Sequence, residues 1–83
     1  MDIQLISSEN AKKIIDSGFD SGLYEPIGLY IVKDNNMWVG IDNSKGYCFV
    51  EESKSKNSIV QWLLGEIDTE SLYELNISEE NVE

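Results

Sequence analysis

The chain has 83 residues, 41 % of them hydrophobic, with sixteen acids against six lysines, no arginine and no histidine, for a net charge of −10. That length makes one small domain, able to bury only about 60 % of its unfolded surface, and no apolar run approaches the roughly 18 residues of a membrane span. The charge repels nucleic acid and anionic membranes, and the absence of histidine removes the commonest general base and metal ligand.

Ile3-Gln4-Leu5-Ile6 reads as a short edge strand. Ser7 or Ser8 then offers an N-cap. Ala11, Ile14 and Ile15 fall at helical spacing, which predicts a helix over residues 8–17 with Gly18 as a left-handed stop. Residues 18–28 form a loop whose Phe19, Leu23 and Tyr24 predict packing back on the domain, with Pro26 favouring extended backbone before it.

The meander that follows is the strongest pattern in the chain. Leu29-Tyr30-Ile31-Val32 and Met37-Trp38-Val39-Gly40-Ile41 are β-branched and aromatic runs joined by a tight turn at Asp34-Asn35-Asn36. Asp42-Asn43-Ser44-Lys45-Gly46 is the next turn, with Gly46 suited to the left-handed position. Tyr47-Cys48-Phe49-Val50-Glu51 is the third strand. Together these predict a three-stranded antiparallel meander over about 28–51.

Ser55 or Asn57 caps a second helix over about 56–65, with Ile59, Trp62 and Leu63 as its apolar stripe and Gly65 as its stop. Leu72 to Ile77 alternates as a final strand would, and a short helix capped by Asp68 or Thr69 fits the same stretch. The expected fold class is therefore α+β. One compact domain spans residues 1–78, and a frayed acidic tail follows at 79–83.

Strand alternation turns this map into surfaces. With a two-residue first turn and a four-residue second turn, Tyr30, Val32, Met37, Val39, Ile41, Cys48 and Val50 share one aliphatic face. Leu29, Ile31, Trp38, Gly40, Tyr47 and Phe49 share the other. A sheet apolar on both sides is either covered on both or exposes one. In the second case Trp38, Tyr47 and Phe49 form a partner-binding or homodimer face.

The sequence points to no chemistry of its own. The lone cysteine, Cys48, excludes an intramolecular disulfide and a multi-cysteine zinc site, and is expected in the core. Asp42 to Gly46 resembles the opening of a calcium loop but carries Lys45 inside it and lacks the next acidic ligand, so a hairpin turn is expected. Asn76-Ile77-Ser78 is formally a glycosylation sequon, one a cytosolic chain would not use. No glycine-rich phosphate motif is present. The expectation is a non-enzymatic protein without cofactor or metal. Met1-Asp2-Ile3-Gln4 lacks the basic start of a secretory signal, which predicts a cytoplasmic address.

The charge is uneven. Glu66, Asp68, Glu70, Glu74, Glu79, Glu80 and Glu83 face no lysine, so residues 66–83 carry −7 and residues 1–65 carry −3. Such a run either solubilises or aims a negative surface at a basic protein. Glu66, Asp68, Glu70, Glu74, Glu79 and Glu80 are the candidate contacts in the second case. In its small size, its lack of arginine and this acidic segment, the chain resembles phage and mobile-element inhibitors of host nucleic-acid enzymes: anti-restriction proteins, anti-CRISPR proteins and uracil-DNA glycosylase inhibitors. That resemblance implies a DNA-mimicking inhibitor acting in a host cytoplasm by presenting carboxylates in place of phosphates. The order helix, three strands, helix over about residues 8–65 also resembles the double-stranded RNA-binding domain, whose basic cluster would fall near Lys54 and Lys56. Two lysines are too few to bind RNA. A self-associating structural protein and an immunity protein are the other classes the composition leaves open.

Overall fold

A computed structural model of the chain describes residues 1–80, and side chains as far as Ser78. In chain order the elements are β1 (Ile3–Leu5), α1 (Ser8–Ser17), β2 (Gly28–Asp34), β3 (Met37–Asn43), β4 (Phe49–Ser53), α2 (Lys56–Leu63) and α3 (Thr69–Glu80). The fold is α+β. The sheet has the order β1-β2-β3-β4; β1 lies parallel to β2 on one edge, and β2, β3 and β4 run antiparallel as a meander.

The helix ends follow local chemistry. Ser7 caps α1 by accepting from the Asn10 N–H, and Ser55 caps α2 by accepting from the Ser58 N–H. At the other end of α2, Gly65 takes a φ of 77°. The Gly65 N–H donates to the Trp62 carbonyl and the Glu66 N–H to the Gln61 carbonyl, which closes the last turn in a Schellman arrangement. Gly18 departs from expectation. Its φ is −98°, so no left-handed stop is needed. Glycine is required there because the Tyr24 ring lies 2.5 Å from where a Cβ would stand.

In the first hairpin Asp34 pairs with Met37, leaving a two-residue turn with Asn35 at φ 56°. The second connection is longer than its sequence suggests. Asp42 pairs with Phe49, so six residues intervene instead of four. Cys48 sits at φ 55° and donates its N–H to the Asn43 side chain, 3.1 Å, outside the ladder. The slip is two residues, an even number, so every strand residue keeps its predicted face. Tyr47 and Cys48 are lost from the sheet, and β4 begins at Phe49.

Both faces are covered. Ala11 and Ile14 of α1 pack on Tyr30, Val32 and Ile41, with Ile6, Val39 and Cys48 at the margin. Ile15, the third member of the predicted stripe, stays 44 % exposed. On the opposite face Ile59 and Leu63 of α2 and Leu72 of α3 pack on Leu29 and Ile31. Ile41, Ile59 and Leu72 have no exposure at all, and burial of such a side chain contributes about 1.5–3 kcal/mol. The contact of α2 with the sheet is close because Gly40 has no side chain: a Cβ there would lie 2.8 Å from a methyl group of Ile59.

Residues 72–77 are helical, so the strand alternative for them is overturned. Alternation put Tyr73, Leu75 and Ile77 on one side, but the buried residue is Leu72. Asp68 fixes the outcome by accepting from the Ser71 N–H at 2.8 Å, an N-cap geometry no strand provides.

Candidate functional site

The acidic residues spread along α3 and its approach. Glu66, in the α2–α3 connection, is exposed, as are Asp68, Glu70 and Glu74. Asp68 is held by the first turn of α3. The Ser71 backbone N–H, then the Ser71 side chain, lower its pKa below the ordinary carboxylate value. Glu70, Tyr73, Glu74 and Ile77 stand at i, i+3, i+4 and i+7, one face of the helix, and all four are exposed. The side chains of Glu79 and Glu80 lie outside the described residues, as does Glu83.

Folding adds one more acid, from β4. α3 is tied to the outer strand β4 by two side-chain bonds: the Tyr73 hydroxyl donates to Glu51 Oε1 at 2.9 Å, and Asn76 Nδ2 to the Glu52 carbonyl at 3.0 Å. The carboxylate beside it raises the Tyr73 pKa above the ordinary phenol value. Glu51 therefore flanks the helix that carries Glu70 and Glu74, whereas Glu52, opposite Val39, turns its side chain to the α1 face and offers α3 only its backbone carbonyl. No local pattern announces this, because the pairing joins residues more than twenty positions apart.

The aromatic trio is divided. Trp38 is half-buried among the residues beneath α2. The ammonium groups of Lys33 and Lys56 each stand 5.2 Å from its ring centre, so its outer side is covered by cations and their stems. Tyr47 and Phe49 remain 59 % and 58 % exposed, in edge-on contact with ring centres 6.2 Å apart. Phe49 lies opposite Asp42 and Trp38 opposite Ser53. The two positions are four steps apart along β3, about 13 Å at strand rise. A continuous three-ring face is therefore not formed.

Between these regions lies a hollow of about 340 Å³, lined by Asp42, Phe49, Val50, Glu51, Trp62 and Thr69. Its carboxylates are each anchored through one oxygen. Asp42 Oδ1 accepts from the backbone N–H and the hydroxyl of Ser44, at 3.1 and 2.6 Å. Glu51 Oε1 accepts from Tyr73. The Trp62 indole N–H donates to the Thr69 hydroxyl at 3.0 Å, which sets the ring against the start of α3. No lysine lines the hollow. A second cleft, of about 470 Å³, opens between α1, β1 and the loop before β2; its floor is Ile6, Ile14, Ile27 and Tyr30, with Lys13 and Glu25 on the rim.

Asn43, a turn residue by its sequence context, is a buried tie. It has no exposure. Its Nδ2 donates to the carbonyls of Tyr24 and Pro26 at 2.9 and 2.8 Å, and its Oδ1 accepts from Cys48. The loop carrying Leu23 and Tyr24 is thereby fastened to the β3–β4 connection, with the Tyr24 N–H donating to the Gly46 carbonyl as well. Burial raises the Cys48 thiol pKa. Among the described residues no group of three or more cysteine, aspartate or glutamate side chains is placed to hold a metal, and no helix is long and apolar enough to cross a membrane.

Compared with known proteins, the chain matches no protein-family model, no curated sequence and no solved structure.

Proposed function

We propose that this chain is an acidic binding module that inhibits or regulates a basic, nucleic-acid-handling protein, presenting carboxylates where that partner expects phosphates, in the manner of anti-restriction and anti-CRISPR inhibitors. The observation that carries this is the gathering of exposed carboxylates on α3 and its approach, Glu66, Asp68, Glu70 and Glu74, beside Glu51 of β4. In a chain of net charge −10 such a surface steers a cationic partner toward it.

The test begins with capture from a host lysate on the immobilised chain at low salt, followed by kinetics with the captured protein. A variant carrying Glu66→Gln, Glu70→Gln and Glu74→Gln should associate more slowly at nearly unchanged dissociation rate. The difference should shrink as salt rises, since screening sets in beyond about 8 Å at physiological ionic strength. Recovery of only neutral or acidic proteins, or a variant that associates as fast as the parent, counts against this function.

A second function is self-association through the β4 edge. Tyr47 and Phe49 are both more than half exposed, and β4 is an outer strand. Light scattering at high micromolar concentration separates the two, because a monomer there excludes a stable dimer.

A further inference from the structure

Resting on the basic partner proposed above, we infer that the hollow beside β4 is an anchor for one arginine side chain of that partner. Asp42 and Glu51 stand on adjacent strands and on the same face of the sheet, since Asp42 pairs with Phe49 and Gly40 with Glu51. They are diagonal neighbours, whose separation is about 7–8 Å. A planar guanidinium placed between them donates to one carboxylate from each side. Each carboxylate is already held through one oxygen, Asp42 by Ser44 and Glu51 by Tyr73. A guanidinium entering the hollow therefore meets acceptors held in place.

The walls suit the same group. Phe49 and Trp62 line the hollow with aromatic surface, against which a guanidinium stacks more readily than an ammonium. No lysine is among the lining residues, and the Lys33 and Lys56 ammonium groups stand over Trp38 at the other end of the strand. A second copy of the chain cannot supply the occupant either, since the sequence contains no arginine.

Nuclear magnetic resonance of the full chain reads this directly, because its two tryptophans report separately. The Trp62 indole N–H lies at the hollow and the Trp38 indole serves as the internal control. The probes are two short capped peptides of equal charge, one of alternating glycine and arginine, the other of alternating glycine and lysine. The arginine peptide should shift the Trp62 indole and the Phe49 and Glu51 amides saturably, with the Trp38 indole still. The lysine peptide should bind at least about threefold more weakly. Asp42→Asn and Glu51→Gln, which keep an oxygen for the internal donors, should each weaken the arginine peptide about tenfold, as loss of a charge-assisted hydrogen bond does. Glu70→Gln with Glu74→Gln, a larger charge change outside the hollow, should cost less than about threefold. Circular dichroism confirms that each variant is folded. Equal binding of the two peptides overturns the inference. So does an unmoved Trp62 indole while the Glu70 and Glu74 amides shift, an outcome that leaves a basic partner in place. Absence of any shift also overturns it, and the basic partner is then decided by the lysate capture alone.

Discussion

Replacing Asn43 by alanine should cost the protein more stability than any other change in its loops. The side chain is fully buried and satisfies three backbone groups at once: the carbonyls of Tyr24 and Pro26 and the N–H of Cys48. A buried polar group left without a partner costs about 1–3 kcal/mol. The Pro26 carbonyl retains the Tyr30 hydroxyl at 2.9 Å, and Pro26 itself is exposed, so the low end of that range applies to it. The total is about 3 kcal/mol, which for a domain of this size lowers Tm by about 12–24 °C. Thermal and urea unfolding followed by circular dichroism measure it, with Asn36→Ala, in the exposed first turn, expected within about 0.5 kcal/mol of the parent. Asn43→Asp sharpens the test. The introduced carboxylate faces two carbonyl oxygens, so its pKa in the folded state rises above the unfolded value. Any stability it retains is present below the unfolded pKa and is lost as pH rises through the folded one. Asn43→Asp should therefore be at least as unstable as Asn43→Ala at neutral pH and recover in acid. An alanine variant within 1 kcal/mol of the parent by the usual accuracy of such measurements, or an aspartate variant indifferent to pH, would refute the role assigned to Asn43.

Three further outcomes follow from the packing. Gly40→Ala places a methyl carbon 2.8 Å from Ile59, which has no exposure and no room to yield; overpacking of about 1–3 kcal/mol outweighs the roughly 0.5–1 kcal/mol gained by removing a strand glycine, and the urea midpoint should fall. Leu72→Ala removes the one fully buried side chain of α3 among the described residues, so about 2–5 kcal/mol is lost, and hydrogen exchange should show α3 unprotected while the sheet amides stay slow. Asp68 has a lowered pKa from its bond with the Ser71 N–H, so its contribution is present above the unfolded carboxylate pKa and is lost as pH falls through the lowered folded value. Carbon chemical shifts in the first turn of α3 should lose helical character on acidification, and Asp68→Asn should abolish that dependence while keeping the cap.

The sequence by itself determined the local structure. The β-branched runs and the Asn35-Asn36 turn specify the meander, and Ser7, Ser55 and Gly65 specify where helices begin or end, because caps and turns depend on a few adjacent residues. Strand parity also assigned the faces correctly, even where the second turn proved two residues longer, since an even slip leaves each side chain where it was. The acidic character of the final segment was likewise legible from composition. Tertiary structure decided everything that joins distant positions. Alternation at 72–77 mimicked a strand, and only the docking of Leu72 under the sheet, with the Asp68 cap, made it a helix. Trp38 was expected with Tyr47 and Phe49, but α2 brings Lys56 over its ring and the lengthened turn carries Tyr47 out of the sheet. Glu51 joins the acids of α3 through the bond from Tyr73, and Asn43 becomes a buried tie through carbonyls seventeen and nineteen residues away. Such contacts form only when a helix or loop settles against the sheet, and the hydrogen-bonding capacity of a residue does not say which remote partner will take it up.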